Sequence, residues 1–392
     1  MLQTFDVVCL SHLRWDFVYQ RPQHLLSRCA RDRGVVFVEE PIPADGASRW
    51  SVTARGENVR VAVPQLSAAD AENQESVLIA MMDQLLAELQ VSRYLLWYYT
   101  PMAVSLTRHL SPVASVYDCM DELSGFTGAS PIIRLREAEL FETVDVVFTG
   151  GQSLYESKRR LHPNVHAFPS SVDVQHFAQA RELLDEPADQ VDIPRPRLGF
   201  FGVLDERLDR DLLDGVAAAR PDWQIVMVGP VVKIEPASLP RRANIHYLGA
   251  KDYSELPAYL SGWDVALLPF ARNDSTRFIS PTKTPEYLAA GCPVVSTSIR
   301  DVVRPYGEMR LVRIADTVDT FVSAAESAMG EDRDALLTRV DTFLDGNSWD
   351  ATWDRMLTVI ESAIGVGSEA TPSCLSEALF EVTSSQSGEA RR

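Results

Sequence analysis

Lys283 and Glu286 stand three residues apart in the stretch Phe278-Ile-Ser-Pro-Thr-Lys-Thr-Pro-Glu-Tyr-Leu-Ala-Ala-Gly-Cys-Pro-Val-Val-Ser-Thr297. That spacing puts both on one face of a helix. Pro281 and Pro285 suit its first turn, where a missing N–H costs little. Gly291, with Pro293 behind it, ends the helix, and Val294-Val-Ser296 reads as a buried strand. Ser280, Thr282 and Lys283 gather hydroxyls, N–H donors and a cation at the helix start, a place for an anion and most naturally a phosphate. Glu286, one turn in, suits the hydroxyls of a ribose. The chain has only four lysines (Lys158, Lys233, Lys251 and Lys283), so one in this stretch is less readily surface filler. The plain alternative is an αβ packing unit whose lysine and glutamate are solvated.

Other groups with chemical potential follow apolar runs. Asp118 and Asp121 lie in Val116-Tyr-Asp-Cys-Met-Asp-Glu122. At the carboxyl end of a strand they reach a cleft, where one could take an acceptor's proton; a loop-capping pair is the competing reading. Trp15 and Tyr19 suit stacking on a sugar or lipid carrier. Arg21 opens a helix and suits a diphosphate or anionic acceptor. Between Arg14 and Arg33, five arginines face two aspartates, a local excess that could meet an anionic lipid, with a solvated helix face as the default explanation. Arg207 and Lys233 each follow the end of an apolar run.

The elements that must position these groups alternate. Short apolar runs at Phe5–Leu10, Val35–Glu39, Val59–Val63, Tyr94–Tyr98, Val113–Tyr117, Asp145–Phe148 and Val165–Phe168 read as strands, with helical segments between. A second set starts at Leu198–Gly202 and continues through Trp223–Pro230, which ends in a turn, Asn244–Gly249, Asp264–Phe270, Val294–Ser296 and Arg310–Arg313. Continuous apolar strands separated by helices mean parallel sheets covered on both faces. The acidic, proline-bearing stretch before Arg197 reads as a linker. The expected division is residues 1–182, a linker at 183–196, residues 197–347, a helix at 348–365 returning to the first half, and a disordered tail at 366–392.

Composition narrows the partners. A net charge of −18 over 392 residues argues against nucleic acid. Cys9, Cys29, Cys119, Cys292 and Cys374 are odd in number and never closely paired, which predicts thiols in a reducing compartment without zinc or a disulfide framework. No signal peptide or long apolar run is visible, so a cytoplasmic protein is expected.

The stretch Ser280-Pro-Thr-Lys-Thr-Pro-Glu-Tyr-Leu-Ala-Ala-Gly-Cys-Pro-Val-Val295 resembles the donor motif of glycosyltransferases with the GT-B fold, in a bacterial family-1/family-4-like branch. Trp15-Asp-Phe-Val-Tyr-Gln-Arg-Pro-Gln-His24 and Ser170-Ser-Val-Asp-Val-Gln-His-Phe177 are similar to further segments of that group. The resemblance implies two doubly wound, Rossmann-like α/β domains, an inter-domain cleft and a C-terminal helix crossing back. It implies a hexosyltransferase using a nucleoside diphosphate sugar, expected to be UDP-linked, and a glycan or lipid-linked acceptor in cell-envelope polysaccharide assembly; the absence of an isolated DxD-type loop pair predicts that it works without a metal. No further cofactor is implied. Peripheral membrane contact would run through the N-terminal domain. Glu286 would hold the donor ribose, beside Arg207, Ser280, Thr282 and Lys283. Trp15, Tyr19, Arg21 and His24 would face the acceptor or phosphates. The chain departs from the pattern at Phe278, where the first glutamate of E-x7-E would stand. Asn273 and Thr276 are the candidates to replace it. A nucleotide-sugar epimerase, a phosphorylase or a non-catalytic assembly protein of the same fold are the rivals; no G-x-G-x-x-G follows the first strand to suggest a dinucleotide oxidoreductase.

Overall fold

The computed structural model describes residues 5–182 and 184–369. Cys374 and the expected tail beyond residue 369 lie outside the described residues. The first sheet contains β1 (Asp6–Ser11), β2 (Val35–Glu39), β3 (Ile42–Pro43), β4 (Arg49–Ala54), β5 (Val59–Leu66), β6 (Tyr94–Tyr98), β7 (Ala114–Cys119), β8 (Val146–Thr149) and β9 (Val165–Ala167). Its order is β3-β5-β2-β1-β6-β7-β8-β9, with β4 antiparallel on β5 and the other pairs parallel. Neighbouring side chains on β1 enter different cores: Val7 and Cys9 join one apolar cluster, Val8 and Leu10 the other. That period of two explains why the strand is apolar throughout. The edge strand β4 is mostly exposed and mixes polar with apolar residues, so no apolar run marks it in the sequence.

The second sheet contains β10 (Arg197–Phe201), β11 (Gln224–Val228), β12 (Ile245–Gly249), β13 (Val265–Leu268), β14 (Val294–Ser296) and β15 (Val312–Ile314). Its order is β12-β11-β10-β13-β14-β15, parallel throughout. Strand order reverses on either side of β1 and again on either side of β10. Such switch points open a crevice at the carboxyl ends of the strands, and ligands bind there.

Two chain crossings hold the halves together, side by side, with a parallel bridge between Val172 and Ser348. The Ser348 hydroxyl accepts the Ala351 N–H at 3.1 Å and starts the helix Trp349–Glu369. Trp349, Trp353, Met356, Ile360 and Ile364 lie on one helical stripe and are buried in the core of the first domain. At roughly 1.5–3 kcal/mol for each large apolar side chain buried, this docking far outweighs a surface contact. The segment before β10 packs on the second domain. Gln190 is fully buried, donating to the Tyr259 carbonyl at 3.0 Å and accepting from the Trp263 indole at 2.8 Å. Among the described residues no helix is long and apolar enough to cross a membrane.

Candidate active site

The two crevices face each other around a cavity of about 400 Å³, within the range of small-molecule sites. From the second domain it is lined by the ends of β10 and β11, the Lys251–Tyr253 turn, Ser280, Thr282, Lys283 and Glu286. From the first it is lined by Trp15, Phe17, Tyr19, Met120, Asp121 and Gly150.

The donor-side geometry begins with two glycines. Gly202 ends β10 with φ +135°, and a Cβ there would lie 2.0 Å from Cε of Lys283. Gly229 ends β11 with φ +142°, and its Cβ would lie 1.9 Å from the Gly202 carbonyl oxygen. Both positions need glycine for backbone and for space. The helix Lys283–Ala289 is fixed against β10 by Tyr287, whose hydroxyl accepts the Phe201 N–H at 2.9 Å. This helix has only two turns, so side-chain charge rather than the helix terminus carries the electrostatics.

Lys283 reaches over Gly202 with its ammonium 5.7 Å from the Phe200 ring centroid. Burial and the neighbouring Arg207 push its amine down, while Glu286 and Asp205 pull it back. Glu286 is 5 % exposed, and burial pushes its carboxyl up against the pull of Lys283. Among the described residues neither side-chain head forms a hydrogen bond or ion pair. Arg207 is aimed by Asp205, which accepts from Nε at 3.0 Å and from Nη2 at 2.6 Å. Lys283 and Glu286 thus stand desolvated and unpaired beside an arginine held by Asp205, and low solvation strengthens the pull of the lysine on an arriving anion.

On the acceptor side Asp121 is half-buried, and its carboxylate accepts no hydrogen bond among the described residues. Burial raises its pKa, Arg207 and Lys283 lower it and Asp205 raises it. Of the four acids lining the cavity, Asp16 is paired with Arg55 and Asp252 belongs to a capping box, which leaves Asp121 and Glu286 unpartnered. Trp15 packs edge-on against Phe37, and Tyr19 lies 4.7 Å from both His24 and Tyr253.

Several expected roles need correction. Asp118 is completely buried and bound by Arg21 through Nε at 2.9 Å and Nη2 at 2.9 Å, so it is no free base. Arg21, 1 % exposed, also donates to the Phe168 carbonyl at 2.7 Å, and its charge is spent inside the first domain rather than on a phosphate. His24 is buried and stacked on Trp349 at 4.6 Å and 9°. Burial pushes its imidazole down to about 3, so it is a neutral part of the docking site for the returning helix. Asn273 is exposed; its side-chain oxygen accepts from Ser275 and Thr276 and builds the loop, away from the cavity. Thr276 is buried against the Ala271 carbonyl. The arginine excess also disappears as a free patch. Arg14 meets Glu39, Arg28 and Arg31 share Asp350, and Arg33 faces Glu361. Phe278, at the position of the missing glutamate, packs onto a core cluster of the first domain.

Residues not anticipated as site members also line the cavity. Tyr253 stacks on His176 at 4.3 Å and 12°, and its buried hydroxyl has no partner. The signal available was its place just after β12, at the same end of the sheet as Gly202 and Gly229. The four described cysteines are free and buried, and burial raises each thiol pKa. Among the described residues no group of three or more His, Cys, Asp or Glu is placed to hold a metal ion.

Two facing doubly wound domains closed by a returning helix define a GT-B fold, and solved structures bear this out. A sucrose-phosphate synthase from Thermosynechococcus elongatus superposes with a TM-score of 0.71 at 13% identity, over 93% of this chain and 100% of that one. An α,α-trehalose 6-phosphate synthase from Burkholderia multivorans gives 0.64 at 14% identity, over 95% and 100%. An E. coli trehalose-6-phosphate structure bound with UDP-2-fluoro glucose gives 0.65 at 12% identity, over 92% and 99%. In sequence, residues 195–331 match the family model of Glycosyl transferases group 1. TuaH of Bacillus subtilis (strain 168), named for a glycosyltransferase of teichuronic acid biosynthesis, is 26% identical over 281 residues, covering 66% of this chain and 69% of its own. The chain thus has a GT-B fold, and its residues 195–331 match a Glycosyl transferases group 1 domain.

Proposed function

We propose that the chain moves a sugar from a uridine diphosphate sugar to a glycan or lipid-linked acceptor, without a metal ion, in the assembly of a cell-envelope polysaccharide at the cytoplasmic face. The observation that carries this reading is the unpaired set at the switch point, Lys283 and Glu286 over Gly202, facing the unpartnered Asp121. The likeness to TuaH supports the envelope process. The likeness in fold to a structure bound with UDP-2-fluoro glucose supports the uridine donor.

The acceptor hydroxyl attacks the anomeric carbon as the bond from that carbon to the diphosphate oxygen breaks. The leaving diphosphate takes the electron pair, and Lys283 and Arg207 stabilise its growing charge without a metal. The hydroxyl proton passes to Asp121, whose carboxylate is made more basic than an exposed one by burial. Glu286 accepts the ribose hydroxyls. Trp15 and Tyr19 offer apolar faces to the acceptor.

Calorimetric titration with UDP, GDP, ADP and dTDP, with and without EDTA, tests the donor assignment. UDP is expected to bind equally with and without EDTA, and Glu286→Ala to weaken it by about 1–3 kcal/mol, the scale for charged hydrogen bonds. Unchanged affinity in the variant removes Glu286 from the ribose site, and no binding of any nucleotide removes the donor reading.

A further inference from the structure

The loop after Asp121 reaches across the cleft. Thr127 donates its N–H to the Glu206 carboxylate at 2.9 Å, and a Cβ on Gly125 would lie 3.1 Å from the Asp274 carbonyl oxygen. Both partners belong to the second domain. Between these two points the Phe126 ring meets two cations of that domain. The Arg207 guanidinium carbon and the Lys233 ammonium each lie 5.7 Å from its centroid. Arg207 is held along its other edge by Asp205. Lys233 has no carboxylate within ion-pair distance among the described residues, and it adopts a left-handed φ of 61°, which few non-glycine residues do. Lys233 is exposed, and the negative face of the Phe126 ring is the group that can attract its ammonium.

We propose that Phe126 is a positioning residue that clasps the two domains through Arg207 and Lys233 and fixes Arg207 for the donor diphosphate. The inference rests on the donor assignment above. One loop then carries both Asp121, beside the acceptor, and the ring that aims a leaving-group cation. Seating the diphosphate and placing the base become one event.

The test compares Phe126→Leu, which keeps apolar bulk but loses the π face, with Phe126→Tyr, which keeps both. Each full-length variant is titrated with UDP, and small-angle scattering measures its radius of gyration without nucleotide. Phe126→Leu is expected to weaken UDP roughly three- to thirtyfold, the range of cation–π contributions, and to enlarge the radius of gyration. Phe126→Tyr is expected to match the parent within about twofold and to keep its dimensions. Two results overturn the clasp: Phe126→Leu behaving as the parent, or Phe126→Tyr losing as much as Phe126→Leu. If the parent protein binds no UDP, the donor assignment fails by itself. Scattering then decides the clasp: expansion in Phe126→Leu reversed in Phe126→Tyr supports it, and unchanged dimensions overturn it.

Discussion

The donor and acceptor sides of the cleft use their charged groups in opposite ways. On the donor side Lys283 and Glu286 sit close in sequence on one short helix, and both remain unpaired. On the acceptor side Arg21 and Asp118 lie 97 residues apart and cancel each other in the core. What faces the cavity there is an aromatic rim and Asp121. Burying a charge is costly unless it is paired, so unpaired charges are retained where a ligand completes them. A charge alone is therefore a weak functional signal, and the absence of a partner is a stronger one.

The two aspartates three residues apart break this contrast most severely if it is wrong. Asp118→Ala leaves the Arg21 cation buried without its partner, a defect worth about 3–5 kcal/mol in stability. Thermal or denaturant unfolding should register that loss. Asp121→Asn should leave stability within about 0.5 kcal/mol and UDP affinity unchanged, while lowering turnover about 10²- to 10⁴-fold, the range for general-base removal. The reverse pattern would exchange the two roles.

Gly202→Ala sharpens the donor side. The added methyl occupies the path of Lys283 at a backbone conformation suited to glycine. UDP affinity should fall at least about tenfold, as for loss of a charged hydrogen bond. Lys283→Ala should lose about as much, and the double variant little more, since both remove one interaction. Additive losses would mean that Gly202 serves something other than room for the lysine.

The same contrast explains what could be read in the sequence. Apolar runs with helical spacers specified two parallel sheets, because every strand residue in such a sheet is buried. The donor helix was legible because its chemistry is local, with Ser280, Thr282, Lys283 and Glu286 all within two turns. Asp121 and Asp118 could not be ranked, because only the packing of the helix Arg21–Cys29 against β7 decides which one is neutralised. His24 and Arg21 belong to the same W-x-x-x-x-Q-R-P-Q-H pattern as Trp15 and Tyr19, yet a helix buries one pair while a loop leaves Trp15 half-buried and Tyr19 exposed. Phe126 and Tyr253 have no motif of their own; each matters through a partner on the opposite domain or crossing. The exposed edge strand β4 lacked an apolar run, so its backbone pairing left no trace in composition.

The smallest effect probes the electrostatics of the donor side directly. Burial and Arg207 hold the free Lys283 amine down to about 8, well below an ordinary lysine. A bound diphosphate places negative charge beside it and raises that pKa. A group whose pKa rises on binding contributes its full affinity below the free-site value and loses it as pH climbs through the bound value. UDP affinity should therefore be level from neutrality to about pH 8 and then fall by up to about tenfold per pH unit until the bound pKa is reached. Lys283→Arg, which keeps its charge across that range, should flatten the profile even if it binds less tightly overall. An alkaline decline that survives in the arginine variant would assign the titration to another group and detach Lys283 from the diphosphate. A profile flat in the parent protein would mean that the lysine stays protonated in the open cleft, and that solvent screens the donor side more than its unpaired charges imply.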